Sequence, residues 1–172
     1  MSHVALVRCE DYDLDRVEDS VARLLELLGG AGKFASPEES ILLKPNLLKG
    51  APPESAITTH PEVLRALIHA LQATAPGTAL AVGDSPAWGS FENAMQVSGL
   101  AAVCAKEGVS TIPFNRGVKM PNSEGTVYRH LHIARAVASA ESIINLPKLK
   151  THCQMYMTGA VKNLFGCVAG KR

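Results

Sequence analysis

Apolar residues recur along this chain with two alternating periods, one helical and one extended. Over residues 14–28 they fall at Leu14, Val17, Val21, Leu24, Leu25 and Leu28, the spacing of a single helix face, with acids near the start where the helix dipole favours them. Gly29-Gly30 stops that helix, so Gly29-Gly30-Ala31-Gly32-Lys33 reads as a cap and linker and not as a phosphate loop. A second helical face, Val63, Leu64, Leu67, Ile68 and Leu71, runs to about residue 73. It opens at Thr58-Thr59-His60-Pro61, where a Thr suits the N-cap and Pro61 the first turn. Further helices are predicted from about residue 91, over 101–106, over 133–140 and over 156–165. Apolar runs of strand length lie at residues 3–8, 40–43, 80–82, 109–114 and 142–145. Lys44-Pro45-Asn46 reads as a turn, and 115–125 is the most loop-like stretch.

This order predicts a three-layer, Rossmann-like α/β fold, with a largely parallel sheet flanked by helices in a single domain over residues 1–172. Right-handed crossovers bring the C-terminal ends of all parallel strands to one edge. Four polar turns then meet there: Lys44-Pro45-Asn46, Gly83-Asp84-Ser85-Pro86, Asn115-Arg116 and the stretch from Asn145 to His152. In open α/β sheets that edge is where ligands bind.

Composition narrows the partners. With 47% apolar and 19% charged residues the balance is that of an ordinary globular protein. A net charge of +1 argues against a general nucleic-acid binder, and one Trp, three Tyr and four Phe offer little for base stacking. No apolar run reaches the roughly 18–20 residues of a membrane span, so no membrane partner is expected. The N-terminal residues lack the charged and long apolar regions of a signal peptide. Cys9, Cys104, Cys153 and Cys167 are far apart without a C-x-x-C pair, which favours reduced thiols and a cytoplasmic location.

The charge is unevenly spread, and this changes the picture. Residues 1–40 hold nine acids against four bases, whereas 142–172 hold five bases and no acid. Lys148 and Lys150 flank Leu149, so in extended chain both ammonium groups share a face; close like charges invite an anion between them. A solvated basic edge is the plainer alternative. Lys44, Asn46, Thr59, Ser85, Lys148, Lys150, Lys162 and Asn163 are the candidate ligand-binding residues, with Asp84 and His152 the candidates for proton transfer. Asp84 could equally close an Asx-turn, and Trp88 is expected to pack in the core. His130-x-His132 and His152-Cys153 offer metal-type ligands without a familiar zinc spacing, so no metal site is assigned. A nucleophilic role for Cys153 is a weaker alternative. There is no G-x-S-x-G, G-x-x-x-x-G-K-[ST] or G-x-G-x-x-G.

Five motifs in order carry a family resemblance: Ile41-Leu42-Leu43-Lys44-Pro45-Asn46-Leu47, Thr59-His60-Pro61-Glu62-Val63, Gly83-Asp84-Ser85-Pro86, Asn145-Leu146-Pro147-Lys148-Leu149-Lys150-Thr151-His152 and Lys162-Asn163-Leu164-Phe165-Gly166. They resemble domain-of-unknown-function family 362 over nearly the whole chain from Ile41. The resemblance implies a prokaryotic cytosolic protein related to chains that often carry a ferredoxin-like module with C-x-x-C-x-x-C repeats. This sequence has no such repeat, so no iron–sulfur cluster is expected on it, and its cofactors are unknown. The resemblance also implies an N-terminal portion of a longer family domain, incomplete at its C-terminus. Incomplete burial of the last strand and helix would point to that further half or to a homodimer.

Two functional classes follow. One is an enzyme-type domain that binds a small anionic molecule, a carboxylate or phosphate, at the sheet edge. The other is a non-catalytic domain that docks a ferredoxin-like module or another redox partner through its basic tail. The second predicts a flat lysine cluster without a concavity.

Overall fold

In the computed structural model, which describes residues 3–169, the first helix begins where Asp13 caps it. The Asp13 carboxylate accepts the Arg16 N–H at 3.4 Å, and α1 runs over Leu14–Leu27. Gly29 and Gly30 leave it with φ of 102° and 96°, backbone that a Cβ disfavours. The chain then enters β1 (Ser40–Pro45), α2 (Pro61–Thr74) and β2 (Ala79–Asp84). Two short helices follow, α3 (Phe91–Val97) and α4 (Leu100–Lys106), then β3 (Ser110–Pro113). A hairpin of β4 (Gly117–Pro121) and β5 (His130–Ala134) leads through α5 (Arg135–Ser139) into β6 (Ser142–Leu146). The small strands β7 (Lys150–His152) and β8 (Tyr156–Thr158) and the short helix α6 (Ala160–Leu164) complete the described chain.

Strands β3, β2, β1 and β6 form, in that order, a four-stranded sheet in which every pairing is parallel. Alternation along β1 divides the core. Ile41 and Leu43 pack with Leu64, Leu67, Ile68 and Leu71 of α2, Leu25 of α1 and Leu100 and Val103 of α4. Leu42 faces the other way, toward Phe114, Ala134 and Cys167, with Ala136 and Val137 of α5 beside it. The fold is therefore the expected parallel α/β sheet with helices on its faces, the second face being the more thinly covered. Because the strands run together, Lys44 pairs in register with Asn145 and Pro45 with Leu146. Asp84 likewise ends β2 opposite Pro113. The polar strand ends thus meet at one edge.

On the helical face a charged clamp joins α1 to α2 and α4. His69 meets Glu18 at 2.6 Å and Glu107 at 2.9 Å, and Glu107 also faces Arg65, itself paired with Glu62. Burial alone would depress the His69 pKa, but the hydrogen bonds and charges of Glu18 and Glu107 outweigh it and hold the pKa above the usual value. A raised folded-state pKa gives stability that is fully present below the unfolded value of about 6.5 and is lost as pH rises through the folded value. Thermal melts should therefore fall on going from pH 6 to pH 8, with a slope that His69→Gln flattens. An unchanged slope in the variant would remove the clamp from the account.

Several local expectations are corrected. Residues 3–8 form no strand; they are an unpaired arm in which Val4 and Leu6 are 93% and 94% exposed, because strand propensity needs a neighbour to pair with. Lys44-Pro45 continues β1 instead of turning. The cap of α2 is His60, whose Nδ1 accepts the Glu62 N–H, and not a threonine. The supposed loop after Asn115 contains β4, with Val118 and Met120 alternating opposite Ile133 and Leu131. Residues 133–140 split between β5 and α5, and 156–165 between β8 and α6, with Gly159 at the second break. Trp88 is 63% exposed and is not a core residue.

Candidate functional site

The floor of the sheet edge is a buried ion pair. Lys44, 0% exposed, donates to Asp84 Oδ1 at 2.7 Å, to the Pro45 carbonyl at 3.2 Å and to Asn163 Oδ1 at 3.4 Å. Asp84 is fully engaged in return: Oδ1 also accepts the Ser85 N–H, and Oδ2 accepts the Leu47 N–H, both at 2.8 Å. A buried pair repays its desolvation only when such additional hydrogen bonds surround it. The sequence places Lys44 and Asp84 at the ends of adjacent strands, and the parallel register turns that into contact.

Asn163 ties α6 to this floor. Its Nδ2 donates to Asn145 Oδ1 at 2.8 Å and to the Pro45 carbonyl at 3.2 Å, while Asn145 Nδ2 donates to the Ala160 carbonyl at 2.9 Å. Gly166 closes the same corner. A Cβ built there would stand 2.6 Å from both Asp84 Oδ1 and Lys44 Nζ. Gly166→Ala should therefore push the pair apart and destabilise the fold by about 1–3 kcal/mol, the usual cost of overpacking. Chemical denaturation measures this; a wild-type midpoint would show that the corner yields freely.

Thr59 links the α2 entry to the sheet. Its hydroxyl accepts the Asn46 N–H at 2.8 Å and donates to the Leu146 carbonyl at 2.6 Å. Asn46 is buried, and its side-chain oxygen has no hydrogen-bond partner among the described residues. Ser85 lies partly buried beside Asp84.

Above this floor lies a cationic rim. Lys150 is half-buried on β7 and donates to the Ile57 carbonyl. Burial, and then the neighbouring charges of Lys162 and Lys148, push its pKa down to about 8, against a smaller upward pull from Asp84. Lys148 donates to the Tyr12 hydroxyl at 2.9 Å, and the Tyr12 ring stacks on His60 at 3.7 Å between centroids. Burial leads the causes that lower the His60 pKa, with Lys148 adding to it, which suits its role as a neutral cap acceptor. Lys162 stands over the Phe165 ring, 5.3 Å from its centroid. Among the described residues none of these three lysines forms an ion pair with a carboxylate.

The predicted residues thus separate into two tiers. Lys44, Asp84, Asn163, Asn46 and Thr59 form or adjoin the buried floor, so Lys44 is not an open rim cation. Lys148, Lys150 and Lys162 form the rim, where Lys148 turns to Tyr12 and Lys150 to Ile57. His152 is partly buried beside a groove next to Lys162, and its Nδ1 accepts the N–H groups of Gln154 and Met155 at 3.1 and 3.2 Å. Sequence reasoning missed Tyr12 entirely and gave no role to His60, Asn145 or Gly166. The last three lie inside the quoted motifs, and that was the available signal. Tyr12 carried none, since it precedes them all.

Residues 41–172 match the family model of a domain of unknown function, DUF362. The chain belongs to that family. It is also similar to a thylakoid-associated protein of Synechocystis, 39% identical over 168 residues, which cover 98% of this chain and 51% of the relative. This DUF362 chain therefore spans about half the length of the curated relative it matches. No solved structure matches it. Cys104 and Cys167 are buried in separate core clusters and Cys9 and Cys153 are exposed; among the described residues no three His, Cys, Asp or Glu side chains gather to hold a metal. None of its described helices is long and apolar enough to cross a membrane.

Proposed function

We propose that this DUF362 domain binds a small anionic molecule, a carboxylate or phosphate, at the C-terminal edge of its parallel sheet. The observation that carries the reading is Lys150 with Lys148 and Lys162 near enough for their charges to act on it, none of the three having a carboxylate partner among the described residues. Partly buried ammonium groups gathered around Lys150 repel it until an anion joins them. Lys150 and Lys162 would supply charge, with Lys148 held in place by Tyr12. Asn46 would use its unpaired buried oxygen to accept a hydrogen bond from a ligand hydroxyl, and Ser85 lies within the same edge.

Asp84 is committed to Lys44 and two backbone N–H groups, which suits a frame better than a proton-transfer group. His152 accepts two backbone N–H groups at Nδ1, so its neutral ring carries its hydrogen on Nε2 and would donate a hydrogen bond to the ligand. The domain is proposed to work in the cytoplasm; the association with thylakoids belongs to the Synechocystis relative. Docking of a ferredoxin-like module is the alternative, and the concave groove beside Lys162 favours the small ligand over it.

Calorimetric titration with inorganic phosphate and with di- and tricarboxylates tests the reading. At least one is expected to bind at pH 7 and to weaken as pH rises past 8, where Lys150 loses its proton. Silence from all of them in a folded protein would refute the site.

A further inference from the structure

A groove of about 690 Å³ opens between the β7–β8 hairpin and α6, lined by Met155, Met157, Val161 and Phe165 with His152 and Lys162 among its walls. Most of this apolar surface is bare: Met155 and Met157 are 60% exposed and Val161 is 88% exposed. Contiguous apolar surface of this kind marks a binding face more often than chance, and the volume is that of a small-molecule site.

The groove is continuous with the cationic rim through Lys162. That side chain lines the groove, lies over the Phe165 ring, and stands close enough to Lys150 for the two charges to interact. A ligand reaching from one to the other must carry a negative end and an apolar body. We infer that the ligand of this site is an amphipathic anion, its phosphate or carboxylate held by Lys150 and Lys162 and its hydrocarbon portion laid along Phe165, Val161, Met157 and Met155. The inference rests on the anion-binding reading above and adds the ligand class.

Titration with inorganic phosphate and with methyl, butyl, hexyl and octyl phosphate, each below its micelle concentration, tests it. Affinity is expected to rise along the series, by at most about fourfold per methylene, the value for full burial. Val161→Asp places a carboxylate in the groove at an exposed position that the fold does not depend on. It should flatten the chain-length series, so that octyl phosphate binds the variant no more tightly than inorganic phosphate binds the same variant. If phosphate binds but the wild-type series is flat, the groove has no part in the ligand and this inference falls alone. If neither phosphate nor any alkyl phosphate binds, the anion reading falls with it. Light scattering that shows a dimer split by Val161→Asp would reassign the groove to contact with a second copy and overturn the inference.

Discussion

Asp84→Asn is expected to lower the unfolding free energy by about 3–5 kcal/mol, the loss seen when one partner of a buried ion pair is removed. The reason is the state of Lys44. Its ammonium is fully buried, and after the substitution only neutral oxygens, those of Pro45, Asn163 and the new amide, remain to face it. With its one carbonyl oxygen toward Lys44, the asparagine turns its NH2 group against the Leu47 N–H, so the loss combines the charge with one backbone hydrogen bond. Urea denaturation of Asp84→Asn, Lys44→Met and the double variant forms a cycle that measures the coupling. The double variant should be more stable than Asp84→Asn alone, because it removes the uncompensated cation. A fall of less than about 1 kcal/mol in Asp84→Asn would mean that water reaches the pair and that the floor is not the rigid element described.

Lys150→Met is expected to weaken anion binding by about ten- to a hundredfold, the range for losing one charge-assisted hydrogen bond. Methionine keeps the length of the stem, so β7 and its pairing with β8 should survive and the melting temperature should hold or rise. The rise has a physical basis: a half-buried ammonium beside Lys148 and Lys162 is a strain that the apolar side chain relieves. The depressed Lys150 pKa carries a second readout. Between about 8 and the unfolded value near 10.5 the unfolded chain holds more protons than the folded one, so wild-type stability should increase over that window. An anion draws the proton back, and near pH 8 binding should take up part of a proton from the buffer. Titration in two buffers of different ionisation enthalpy detects that uptake, and Lys150→Met should abolish it. Equal phosphate affinity in wild type and variant would move the site away from Lys150.

Much of this architecture is legible in the residues. The 3.6-residue spacing from Val17 to Leu28 and from Val63 to Leu71 places α1 and α2 because one apolar face must be buried whatever the partner. The runs at Ile41, Leu80 and Ile143 are strands for the same reason, and their alternation with helices requires a parallel sheet. Parallelism in turn sends Lys44, Asp84 and Asn145 to one edge. The absence of acids after Ser142 marks the basic rim in the sequence itself.

Pairing and partnership were decided elsewhere. Residues 3–8 have the composition of a strand and remain a bare arm, while Gly117–Pro121 look like a loop and pair with His130–Ala134; a strand exists only if another presents its backbone. The roles of the lysines divide likewise. Lys44 and Lys150 both border polar strand ends, yet one is neutralised by Asp84 across adjacent strands and the other is left among like charges. The sequence by itself determined which elements form and at which edge their polar ends collect, since periodicity and burial are properties of local segments. Only the tertiary structure decided that Lys44 is structural, that Tyr12 holds Lys148 and that Lys162 joins the rim to an apolar groove, because a charge takes its meaning from groups up to 136 residues away along the chain.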